Sequence, residues 1–242
     1  MLTMRDHGVE DYATLHDMDA TDVGVLGEDD RACLEELGQY LVATDSWQRF
    51  AIWLLHKHFE PAPGEVFVER AIATPRRSET TPKERSAFST GLSATAMRFD
   101  PAVSSGVSVI GMEFAEPADF GATSPLSTDD EAALAGIAER LQAHGKIERF
   151  GVRLIRNPLG VSADELLLET CDSTQRTLYC DVTERDAISG PKTIETTWRW
   201  RVIQGNGKPT VMQECQASCV AAVAEGHDIR HSNFLDDDFG ND

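Results

Sequence analysis

The stretch Trp47 to Arg70, WQRFAIWLLHKHFEPAPGEVFVER, decides how the chain reads, because IERFGVRLIRNPLGVSADELLLET, Ile147 to Thr170, follows it at a spacing of 100 residues. Both runs enter through Arg-Phe, cross a loop bearing proline and glycine, and end in a segment framed by two glutamates. Arg49/Arg149, Phe50/Phe150, Leu54/Leu154, Glu65/Glu165 and Glu69/Glu169 align without a gap. Upstream, residues 29–44 and 129–144 carry leucines and isoleucine at helical spacing (Leu34, Leu37, Leu41; Leu134, Ile137, Leu141). Asp29/Asp129 and Asp30/Asp130 fall in the first turns, where negative charge suits the helix dipole. Thr128 with Glu131 reads as a capping box. Downstream, 94–100, 107–114, 176–182 and 195–203 read as strands. The expected fold is therefore α+β: an internal duplication, in which a tandem pseudo-symmetric pair of helix-plus-four-strand units, mainly antiparallel, packs as one body.

On this reading 1–28 is an irregular arm, 29–114 the first unit, 115–127 a linker, 128–219 the second unit and 220–242 a Cys/His segment with an acidic tail. His7 and His16 lie in the arm and are expected to be exposed and idle. Segment 74–91, rich in polar residues with two prolines, reads as a long surface loop, conceivably a lid. CQASCVAAVAEG, from Cys215, is alanine-rich and reads as helical, and Gly205-Asn206-Gly207 as a hairpin turn.

A formal charge of −19 disfavours nucleic acid and anionic membrane surfaces as partners, since both require a basic face. A hydrophobic content of 41% is enough for a packed core. No apolar run reaches the roughly 18 residues of a membrane helix, and the N-terminus has no basic start followed by an apolar stretch, so a cytoplasmic location is expected. The five cysteines, an odd number, then read as thiols or ligands, not a disulfide framework. Cys171 and Cys180 fall off register for a bridge if 172–175 form the turn between their strands.

Two patterns carry candidate chemistry. His56-x-His58 ends what reads as a buried strand, where alternate side chains point the same way and two imidazoles can meet one ion. The aligned positions are Arg156 and Pro158, so only one of the two runs has the pair. Cys215-x3-Cys219-x7-His227-x3-His231 offers two thiols and two imidazoles, a full tetrahedral set for zinc. Six candidate metal ligands follow: His56, His58, Cys215, Cys219, His227 and His231. Imidazole suits zinc, copper, iron or nickel, and added thiolate favours zinc or copper. Glu69 and Asp228 are the candidate general acid or base. The recurring glutamates read as scaffold, through strand-end hydrogen bonds or ion pairs with Arg49 and Arg149.

There is no phosphate-binding glycine loop, Rossmann fingerprint, serine elbow or HExxH run. The leading expectation is a metal-dependent enzyme acting on a small molecule, with zinc, copper or iron at a mixed His/Cys site. The alternatives are a non-catalytic protein-interaction module with structural zinc or no metal, and a metal-free enzyme or binder with its pocket between two sheets.

Overall fold

The computed structural model describes residues 1–18, 25–88, 91–101, 106–120, 123–188, 193–204 and 209–220. The strands in chain order are β1 (Leu2–Asp6), β2 (Phe50–Leu54), β3 (Glu65–Ile72), β4 (Arg77–Glu84), β5 (Ser93–Phe99), β6 (Val107–Ala115), β7 (Phe150–Leu154), β8 (Glu165–Asp172), β9 (Thr177–Glu184), β10 (Thr193–Gln204) and β11 (Pro209–Val220). The helices are α1 (Val9–Ala13), α2 (Glu28–Ala43) and α3 (Glu131–Ala143). Ten of the strands close into one barrel, in the order β6-β3-β4-β9-β8-β11-β10-β2-β7-β5 and back to β6. β1 lies parallel on the free half of the β6 edge, beside Val107 to Gly111, before β3 takes over that edge at Glu113.

This corrects the expected α+β pair of duplicated units. With 43% of the chain in strands, the protein is mostly β. Strands from the two halves of the sequence are also direct neighbours: β4 pairs with β9, β2 with β7 and with β10, and β5 with β7. Each half contributes a contiguous run, β5-β6-β3-β4 and β9-β8-β11-β10, but β2 and β7 each sit between strands of the other half, and both runs belong to one continuous sheet. A four-stranded sheet leaves two edges of unpaired N–H and C=O groups, and closure into a single barrel removes them all.

The two faces of the barrel wall are chemically distinct, and side-chain alternation sets them apart. Phe50, Ile52 and Leu54 on β2, with Phe150, Val152 and Leu154 on β7, point outward under Leu34, Leu37 and Leu41 of α2 and Leu134, Ile137 and Leu141 of α3. Trp198 and Trp200 join this outer core. Trp53, Leu55, Phe67, Ala96 and Met112 form a second cluster with Tyr12 and Leu15, so the α1 region stops one end of the barrel. All five residues of β2 are buried, as a strand covered on both faces requires.

Several local expectations change. The arm carries β1 and α1, and His7 is buried between Tyr12 and Phe67 instead of exposed. Segment 74–91 is no lid: 77–84 is the wall strand β4, whose Ser78 and Thr80 face inward and are buried. Arg77 pairs with Asp181 on the neighbouring strand, which shows how a sequence so polar holds a central place. Ser127, one residue before the expected Thr128, caps the short 3-10 turn Thr128–Asp130 that leads into α3, and the Asp130 carboxylate accepts its N–H at 2.9 Å. Arg49 and Arg149 do not pair with the glutamates. Arg49 donates to Asp130 and Arg149 pairs with Asp30, tying each strand entry to the helix of the other half. Residues 209–220, including Cys215 and Cys219, are strand, not helix. The β8–β9 register sets Cys171 opposite Leu178 and Cys180 opposite Glu169, one turn position later than expected, and neither forms a disulfide.

Candidate metal centre

The barrel lumen is polar at its middle. Arg153 of β7 points inward, mostly buried, and pairs with Glu113 of β6 and with Glu169 of β8 at 3.8 Å. Arg156 pairs with Glu69 of β3. Three carboxylates thus face two guanidiniums among the described residues, leaving the layer one negative charge in excess when all are ionised. Burial alone would lower the Arg153 pKa, but Glu113, Glu169 and Glu69 together raise it. Burial raises the Glu113 carboxyl, and the Arg153 cation only partly opposes this.

On the α1 side of this layer, His56, His58 and Glu169 converge, their ligand atoms all within 4.8 Å of one another. β2 ends at Leu54, so the histidines sit just past the strand and not within it. The chain stays extended there because the Leu55 N–H donates to the Arg149 carbonyl and the Lys57 N–H to the His16 carbonyl. The His56 Nδ1–H donates to the Leu54 carbonyl at 2.7 Å, which fixes the tautomer and leaves the Nε2 lone pair facing inward. That Nε2 lies 3.1 Å from His58 Nε2 and 3.9 Å from Glu169 Oε2. Thr196 donates to the same Glu169 oxygen at 2.9 Å and orients the carboxylate. Without an ion, His58 donates its Nε2–H to His56; with one, His58 carries its proton on Nδ1 and both Nε2 lone pairs are free to ligate.

Burial pushes the His56 imidazole down to about 4 and the His58 imidazole down to about 3, the latter helped by His56 beside it. Both are therefore neutral at pH 7, the form that binds metals. A cavity of about 20 Å³ adjoins the three groups, walled by Tyr12, Trp53, Phe59 and Phe67. That is room for one water-sized occupant.

The expected site residues divide into three sets. His56 and His58 come together as the spacing implied. Cys215 and Cys219 stand apart: Cys219 is buried in the outer core, while the Cys215 Sγ approaches the Ala217 carbonyl at 3.2 Å and the Ser218 hydroxyl at 3.3 Å. Burial pushes the Cys215 thiol up to about 12, so it is no ready thiolate. His227, Asp228 and His231 lie outside the described residues. Glu69 is held by Arg156 on the other side of the charge layer and does not line the histidine cavity. Glu65 and Glu165 serve strand ends: they accept the Ala62 and Ser162 N–H groups and pair with Arg176 and Arg76 respectively.

Glu169 is the candidate ligand that sequence reasoning missed, having been read as scaffold. The available signal was the pairing partner at the matching spacing. Arg156 with Glu69 forms an evident ion pair, and the positions 100 residues away in opposite senses are His56 and Glu169.

No family model matches the chain, and neither the curated proteins nor the solved structures give a match. No described helix is long and apolar enough to cross a membrane.

Proposed function

We propose that this chain is a metal-dependent enzyme acting on a small molecule, with one divalent transition-metal ion held by His56 Nε2, His58 Nε2 and the Glu169 carboxylate. The observation that carries the reading is the convergence of these three groups on one small cavity. Ligand atoms about 2.1 Å from a tetrahedral ion lie roughly 3.4 Å apart. The separations of 3.1 and 3.9 Å are within about 0.5 Å of this, and the third, from His58 to Glu169, is within 4.8 Å, so the set would close on an ion with a shift of at most about 1.4 Å at that pair. The excess negative charge of the lumen layer favours a cation at this place. Two imidazoles and one carboxylate suit zinc or iron(II) and leave coordination positions for water and substrate. There the ion supplies a Lewis acid or an activated water. Aromatic walls would exclude bulk water from the bound molecule.

The test is elemental analysis of untagged protein after reconstitution with zinc, cobalt or iron(II), for the wild type, Glu169→Gln and His56→Gln/His58→Gln. One equivalent in the wild type and a strong loss in both variants supports the site. A visible spectrum of the cobalt form that changes on adding azide marks an open coordination position, as catalysis requires. No metal in the wild type overturns the reading, and a cobalt spectrum indifferent to azide reduces it to a structural ion.

A further inference from the structure

The lumen has a second chamber on the far side of the charge layer, of about 80 Å³, which the metal reading does not use. Two β-bulges open onto it. In β5 the register passes from Ala94↔Phe114 to Ala96↔Glu113 and skips Thr95. In β10 it slips between Glu195 and Trp198, around Thr197. Bulges re-aim side chains, and here they present Thr95 and Thr197 to the chamber. The two residues are 3% and 2% exposed. Neither hydroxyl has a hydrogen-bond partner among the described residues. A buried hydroxyl left unsatisfied is costly, and one such group in a well-packed wall calls for an explanation. Two on the floor of one chamber point to a ligand that satisfies both.

The charges divide along the chamber. Its floor borders the layer of Arg153, Arg156 and Glu69, whose two guanidiniums are already held by Glu113, Glu169 and Glu69 and so offer no unshared cation to a second anion. Its rim is different. Half-exposed Arg185 has no carboxylate partner among the described residues and donates only to the Ala163 carbonyl. Arg199 shares the single Glu214 carboxylate with Arg201. The side walls include Leu159, Val161 and Leu167. A cationic rim, apolar walls and an uncharged hydrogen-bonding floor define the complement.

We propose that this chamber binds a small organic acid whose carboxylate meets Arg185 and Arg199 while an uncharged polar group, a hydroxyl or carbonyl a few carbons away, bonds to Thr95 and Thr197. The site is independent of the metal centre and stands whether or not an ion binds at His56, His58 and Glu169.

The experiment is titration calorimetry on chelator-treated, metal-free protein with three probes: 6-hydroxyhexanoate, hexanoate and 1,6-hexanediol. Wild type is expected to bind 6-hydroxyhexanoate at least tenfold tighter than either of the others. Thr95→Val/Thr197→Val is expected to erase the advantage over hexanoate without lowering the melting temperature, because it removes hydroxyls that have no partner in the free protein. Arg185→Met is expected to erase the advantage over the diol; Arg199→Met, which leaves Glu214 to Arg201, is expected to do the same. Absence of binding in the wild type, equal binding of the three probes, or variants indistinguishable from wild type would overturn the proposal. The metal ligands are untouched throughout, so failure here leaves the metal reading standing, and failure there leaves this one.

Discussion

Lowering the pH separates the proposed metal centre from an ordinary histidine pair. Protons compete with a metal ion for imidazole nitrogen, so affinity falls wherever the free ligand is protonated. For two histidines at the usual pKa near 6.5, going from about pH 7.5 to about pH 5.5 multiplies the competition roughly tenfold at each ring, so affinity falls about 100-fold. In this barrel the free rings sit at about 4 and about 3, because burial disfavours the imidazolium. The same acidification then weakens binding by only about 1.03-fold from the histidines, and their competition begins only near pH 4. Calorimetry with zinc in buffers of different ionisation enthalpy reads both quantities at once: the dissociation constant and the protons released per ion. Binding by this pair is expected to hold its affinity to about pH 5.5 with almost no proton release from imidazole. A loss near 100-fold with nearly two protons released, in protein still folded by circular dichroism, would show that the rings are solvated when free, and would refute the buried geometry on which the site rests.

The same depressed values have a cost in acid for the metal-free protein. The folded rings titrate below the unfolded value of about 6.5, so the unfolded chain binds more protons and stability, complete above that pH, falls as pH drops towards 4 for His56 and 3 for His58. The loss reaches roughly 4 kcal/mol by about pH 5, and urea midpoints of His56→Gln/His58→Gln are expected to be much flatter over this window. Arg153→Met strands Glu113 and Glu169 without their buried partner, and a loss of about 3–5 kcal/mol in denaturant unfolding is expected, partly restored by adding Glu113→Gln. Gly38→Ala in α2 sets two effects against each other: the helix gains up to about 1 kcal/mol of propensity, but the new methyl falls 2.1 Å from Nε1 of buried Trp200. Overpacking of about 1–3 kcal/mol wins, so thermal unfolding is expected at lower temperature, and a rise would contradict the packing of α2 on β10.

The sequence was informative wherever one face of an element is apolar. The leucine stripes of α2 and α3 and the wholly apolar β2 were legible because helix and strand periods leave different traces, and β5, β6, β9 and β10 lie close to the segments read as strands. β4 was not legible, since RSETTPKE has no apolar face at all. Its inward residues, Ser78 and Thr80, look into a polar lumen, and cross-strand pairs such as Arg77 with Asp181 hold it. Closure itself leaves no mark in the local pattern. The β4–β9 and β2–β7 pairings join residues about 100 positions apart, and the same alternation fits an open sheet or a barrel. Hence two sheets packed into one body were expected where the chain builds one continuous wall.

The site follows the same logic with a different outcome. His56 and His58 announced themselves by type and spacing, while Glu169 was hidden by its resemblance to Glu69. What distinguishes the two glutamates is the residue that each one faces. Glu69 meets a permanent cation, Arg156, and the ion pair is satisfied; Glu169 faces a neutral imidazole at His56 and shares Arg153 with Glu113. Replacing arginine by histidine opposite a buried carboxylate removes one positive charge from the lumen without removing the negative charge it faced. Glu169 keeps a share of Arg153 at 3.8 Å, but that cation also serves Glu113, so the buried pair of carboxylates stays short of positive charge. Retaining the carboxylate, orienting it with Thr196, and adding a second neutral imidazole at His58 gives an arrangement that an external cation completes.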